Sequence, residues 1–130
     1  MKFMMKEKGF ETEVEYGKLQ VCGDEKYGFR PYQLLVSAVA VCSGGVLRQV
    51  LDKKRLTFSD ITVTTDIVRN EKKANSIEKI HMHFVITGTG LTSEVIEKCL
   101  HVTRKNCSMV QSVEGSIEIT ESFEIIEETV

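Results

Sequence analysis

Tryptophan is absent from this chain and the only proline is Pro31, so few rigid turns are expected. Neither charge sign dominates: 17 Lys and Arg stand against 19 Asp and Glu, a net charge of −2. With no basic stripe and no polybasic run, neither nucleic acid nor an anionic membrane is an expected partner. No apolar run is expected to approach the roughly 20 residues that a bilayer-crossing helix needs. Lysines cut the opening residues Met1-Lys2-Phe3-Met4-Met5-Lys6, which therefore lack the apolar block of a secretory signal. A cytoplasmic, reducing location is the expectation, with the four cysteines as free thiols. C-x-x-C, G-x-S-x-G, Walker, Rossmann and H-E-x-x-H patterns are all missing. No metal and no cofactor is expected.

What is present suits one domain over residues 1–130, long enough to bury a core. Glu11–Tyr16 and Leu19–Cys22 flank Gly17-Lys18 and read as a hairpin turning at that pair. A helix is predicted from about Pro31 to Lys54; proline suits a first turn, and the closing cations complement the negative helix end. Its run from Leu34 to Gly45 is apolar on nearly every face, so burial on most sides is expected. Ile61–Val68 and Ile77–Thr87 alternate as strands, the second with Ile80, Met82, Phe84 and Ile86 on one face. Charged residues from Arg69 to Ser76 read as the solvated tip of a long antiparallel hairpin. Thr92 or Ser93 caps a helix to about Asn106, a short helical piece spans Cys107–Val113, and Ile117–Ile125 closes the chain with period two. The order β-β-α-β-β-α-β predicts an α+β fold with an antiparallel sheet and two main helices.

Chemistry centres on two thiols. Cys42 lies within the apolar helix and reads either as a small buried hydrophobe or as a nucleophile kept from water, less accessible than Cys107. As a nucleophile it needs a nearby cation or hydrogen-bond donor, for which Arg30, Lys18 and Lys26 are the candidates. Gly44-Gly45 costs helix stability and so implies close approach by another helix or open space for a substrate. Cys107 ends one helical segment, Cys99 packs on that helix's inner face, and Cys22 sits in a hairpin strand. His81 and His83 share one strand face, yet no third ligand is fixed beside them.

Three stretches carry a family resemblance. They are Pro31-x-x-Leu34-Leu35 leading to Cys42, Ile80–Gly88 before the second helix, and Lys105–Val110 around Cys107. On these the chain resembles the OsmC/Ohr superfamily, in its YhfA-like branch. The resemblance implies an interlocked homodimer with the cysteine-bearing helices at its centre. It further implies a thiol peroxidase for organic hydroperoxides. Cys42 would attack the peroxide to give a sulfenic acid, Cys107 would resolve it as a disulfide, and a dithiol would reduce the pair. Val39, Val46 and Met109 are expected to line an apolar pocket for the hydroperoxide. Peroxidase members carry a glutamate directly after the proline, where this chain has Tyr32 and then Gln33. They also carry an arginine in the N-terminal strands, and here no arginine precedes Arg30. Tyr32, Gln33, Lys18 and Lys26 are therefore the candidate supporting residues. The alternative is a non-enzymatic dimer holding a small apolar ligand in its central pocket.

Overall fold

A computed structural model describes residues 1–129, which fall into two compact units, Met1–Ser37 and Ala38 onward. Helix α1, Pro31–Lys53, runs through the boundary.

The first unit is a three-stranded antiparallel ribbon, β1 (Met4–Met5), β2 (Phe10–Val14) and β3 (Gly17–Val21), in that order. Val14 pairs with Gly17, so the turn is Glu15-Tyr16 rather than Gly17-Lys18. The glycine starts the return strand. Thr12, 1 % exposed, donates its hydroxyl to the Lys2 carbonyl at 2.7 Å and ties down the chain start.

The second unit holds the sheet β4 (Thr57–Asn70), β5 (Ser76–Thr89), β6 (Glu118–Glu127), with α2 (Ser93–Asn106) and α3 (Ser108–Val113) between β5 and β6. β4 and β5 form the expected long hairpin, joined through a 3-10 turn at Glu71–Lys73. Thr92 caps α2, accepting from the Val95 N–H at 3.3 Å. The α+β class stands, but the sheet is not wholly antiparallel: β6 runs parallel to β5, from Lys79↔Glu118 to Gly88↔Glu127. α2 and α3 carry the chain back to the end of the sheet where β5 began, and a parallel neighbour needs such a crossover.

The apolar stripe predicted for β5 is the core of this unit. Ile80, Met82, Phe84 and Ile86 are fully buried, together with Val39, Leu47 and Leu51 of α1 and Ile96 and Cys99 of α2. At Gly88 the sheet leaves no room for a side chain: an added Cβ would run into the Thr57 carbonyl and the Phe58 backbone.

Helix α1 departs from expectation in two ways. It buries one side, while Val41 is 73 % exposed; within one chain the sheet can cover only one side of a helix. It is also, by length and composition, apolar enough to cross a membrane, with a mean hydropathy of 1.8 over 18 residues.

Candidate functional site

Two Cys-Ser dipeptides meet in the second unit. Cys42-Ser43 sits in mid α1 and Cys107-Ser108 at the junction of α2 and α3. The contacts cross: Ser43 donates its hydroxyl to Cys107 Sγ at 3.3 Å, and Cys42 Sγ lies 3.7 Å from Ser108 Oγ. The two thiols are near enough for each to influence the other's pKa. All four cysteines are free thiols. The two sulfurs singled out in the sequence lie close together, but their accessibility is the reverse of that expected. Cys42 is half-buried, whereas Cys107 is fully buried. The apolar side of α1 that faces inward carries Val39, Ser43 and Leu47, and Cys42 lies off that line.

Burial acts on both sulfurs but decides only one. At Cys42 desolvation is the largest single influence and pushes the thiol up. Hydrogen bonds from the Met109 backbone, the Cys107 and Ser108 side chains and the Ser108 backbone together outweigh it, so the net shift is downward. Cys107 goes the other way: burial raises it, the bonds from Ser43 and the Val110 backbone offset this in part, and Cys42 adds to the rise. Cys99 is raised by burial, with Lys54 partly opposing. The arrangement therefore contains one thiol biased toward thiolate and a neighbour biased toward neutral thiol, the polarity a nucleophile and a proton-bearing partner require.

The supporting candidates Lys18, Lys26, Tyr32 and Gln33 all belong to the first unit. There Arg30 stacks its guanidinium 4.8 Å from the centre of the Tyr32 ring. Lys18 and Lys26 are exposed, as is Gln33. Val39 is core rather than pocket lining, Val46 is half-buried, and Met109 is 37 % exposed. The main groove of the second unit, about 850 Å³, is elsewhere. It runs between α1 and β4 past Val41, Gly44, Gly45, Phe58, Ile61 and Val63. Gly44 approaches a strand, not a helix: a Cβ there would touch Val63 at 3.4 Å, while Gly45 faces open space. His81 and His83 share the Ser122 hydroxyl at 2.8 and 2.7 Å, and His81 also meets Thr120 at 2.6 Å. Among the described residues no three His, Cys, Asp or Glu side chains are grouped to hold a metal.

Ser43 and Ser108 are the members of the site that sequence reasoning missed. The repeated Cys-Ser pair was the available signal, since a hydroxyl beside each thiol is a ready donor.

The family model for OsmC-like protein matches residues 23–122. The chain belongs to the OsmC-like family. Its place in the YhfA-like branch agrees with Protein YhfA of Escherichia coli K12, 26 % identical over 97 residues that make up 74 % of this chain and 72 % of that one. A hypothetical protein from Aquifex aeolicus VF5 superposes with a TM-score of 0.86 at 23 % identity, covering 98 % of this chain and 96 % of the other. An organic hydroperoxide resistance protein OsmC from Legionella pneumophila superposes with a TM-score of 0.73 at 18 % identity, covering 95 % and 97 %. The OsmC-like fold thus spans nearly the whole chain, and both Cys42 and Cys107 lie within the stretch that the family model matches.

Proposed function

We propose that this OsmC-like protein is a thiol peroxidase for organic hydroperoxides. The observation that carries the reading is the meeting of the two Cys-Ser dipeptides, Ser43 on Cys107 at 3.3 Å and Cys42 beside Ser108 at 3.7 Å, with Cys42 shifted toward thiolate and Cys107 away from it. The Cys42 thiolate attacks the terminal peroxide oxygen. The O–O bond breaks, the alkoxide takes up a proton and leaves as an alcohol, and Cys42 becomes a sulfenic acid. Cys107 then attacks the Cys42 sulfur. An S–S bond forms as the S–O bond breaks, and the hydroxide departs as water with the Cys107 proton. An external dithiol reduces the disulfide by exchange.

Chemically similar peroxidases brace their thiolate with an arginine–glutamate pair. Tyr32 stands in the glutamate's place and pairs with Arg30 through its ring. The reaction should therefore be slower than in members that carry the pair, with organic hydroperoxides preferred to hydrogen peroxide. The working protein is a soluble, cytoplasmic homodimer with no nucleic-acid, membrane, metal or cofactor requirement. Lys18, Lys26 or Gln33, brought in by either protomer, would be the supporting polar groups.

A second reading has its own support in the groove beside Val41, whose walls include Phe58, Ile61 and Val63. In it the dimer holds a small apolar ligand without turnover.

Mass spectrometry of the reduced protein after cumene hydroperoxide separates the two. The peroxidase reading requires a Cys42–Cys107 crosslink. It also requires loss of turnover in Cys42→Ser and a dimedone-trapped sulfenic acid in Cys107→Ser. Wild-type turnover in Cys42→Ser, or four thiols left intact in the wild type, would sink it and leave ligand binding.

A further inference from the structure

We propose that Ser43 is a positioning residue: acting through Cys107, its hydroxyl supplies at Cys42 the support that a cation gives in other thiol peroxidases. This deepens the peroxidase reading and rests on it for its catalytic meaning. The hydroxyl of Ser43 points at Cys107 Sγ and donates to it at 3.3 Å. Both residues are shut off from water, Ser43 at 2 % and Cys107 at 0 % exposure. No solvent molecule can stand in for that donor. Its sulfur already serving as acceptor, Cys107 keeps its S–H free to turn toward Cys42, the neighbouring thiol. The result is a directed chain, from Ser43 hydroxyl to Cys107 thiol to Cys42 sulfur, and a donor polarised from behind is a stronger donor. Ser108, 3.7 Å from Cys42 Sγ, approaches the same sulfur from the other dipeptide.

The same serine serves the second step. To resolve the sulfenic acid, Cys107 gives up its proton and attacks Cys42, the S–O bond breaks, and that proton leaves in the water formed. Negative charge develops on Cys107 at that moment, inside the core, where an unsupported thiolate is costly. The Ser43 hydroxyl is already aimed at the sulfur that receives it. The hydroxyl is thus an indirect donor to Cys42 in the first step and a direct one to Cys107 in the second. That dual use fits a buried polar residue on the otherwise apolar inner side of α1.

The test uses the reduced full chain and needs no hydroperoxide in its first arm. Iodoacetamide labelling of Cys42 is followed against pH by mass spectrometry in wild type, Ser43→Ala, Ser43→Thr and Cys107→Ala. Loss of one hydrogen bond should move the labelling midpoint upward and slow labelling near neutral pH about three- to tenfold in Ser43→Ala and in Cys107→Ala. Ser43→Thr, which keeps the hydroxyl, should follow wild type. In the second arm, with cumene hydroperoxide, Ser43→Ala should prolong the sulfenic acid by about three- to tenfold. A wild-type labelling profile in both alanine variants overturns the chain of donors. Shifted labelling in a protein that never reacts with hydroperoxide upholds the donor chain at Cys42 and overturns the peroxidase reading alone.

Discussion

Three thiols in one unit share a cost of burial and differ in what answers it. Cys99 has only the charge of Lys54, Cys107 has one hydroxyl and a backbone group, and Cys42 has several donors. Cys42 is the least buried of the three as well as the one with most donors, and both favour it as the sulfur poised to react. Glu121 shows the same competition with a carboxyl. Burial pushes its pKa above the ordinary 4.5, although the Arg104 charge and hydrogen bond pull the other way. Arg104 meets Glu121 at 3.4 Å but meets Glu114 at 2.8 Å and the Ile119 carbonyl at 2.8 Å, so its charge is shared. A raised carboxyl pKa means that the folded chain holds the proton more tightly than the unfolded one. The stability this gives is full below the unfolded value and is lost as pH rises through the folded value. Glu121→Gln cannot titrate and should not suffer that loss. Compared by urea midpoints, wild type should stand higher relative to the variant at about pH 4 than at about pH 7. The opposite order would mean that the pairing with Arg104 outweighs burial.

At the scale of elements, periodicity carried most of what could be foreseen. The alternation of Ile80, Met82, Phe84 and Ile86 fixes both the strand and its buried face, and all four are fully buried. The direction of β6 was not legible, because period two reads alike in parallel and antiparallel strands. The pairing of Cys42 with Cys107 came from family likeness, and although the Cys-Ser pair recurs in the sequence, nothing local shows that each serine meets the other dipeptide's thiol. Cys42 was misjudged as the more hidden thiol for a related reason: composition says how much of a helix is apolar, not which side the sheet will cover. Gly88 is an element-scale feature with a sharp consequence. β5 there lies against the bulged start of β4, between Phe58 and Asp60, and an added methyl would run into the β4 backbone at Thr57 and Phe58 and into the Leu91 side chain. Backbone cannot rotate away as a side chain can. Gly88→Ala should therefore cost about 1–3 kcal/mol of stability by chemical unfolding, the range for overpacking. A variant as stable as wild type would show that the β4–β5 bulge can shift to admit the methyl.

Both units carry large apolar side chains on their surfaces. In the second unit Val41 is 73 % exposed beside the groove on α1. In the first unit Phe3, Met5 and Phe29 are each more than half exposed on strands of five residues or fewer and the loop beside them. Such a short ribbon is marginal in water without a surface to cover it. A second copy of the chain, in the homodimer proposed above, is the cover these features are expected to meet. Gly45 gives a test that separates the two states. It lies in a helix interior with nothing within 4 Å of where a Cβ would stand. In a monomer, Gly45→Ala should add about 0.5–1 kcal/mol, because alanine loses less backbone freedom on folding than glycine. In a dimer packed through this side of α1, the methyl intrudes on the partner and weakens association instead. Sedimentation equilibrium across a dilution series should show dimer for wild type and a shift toward monomer for Val41→Glu, which places a charge in the contact. The melting temperature of wild type should rise with protein concentration, as it must when folding and association are coupled. For Gly45→Ala that dependence should begin at higher concentration. A wild type that sediments as a folded monomer, joined to a Gly45→Ala variant that is simply more stable, would show that α1 faces water in the working protein.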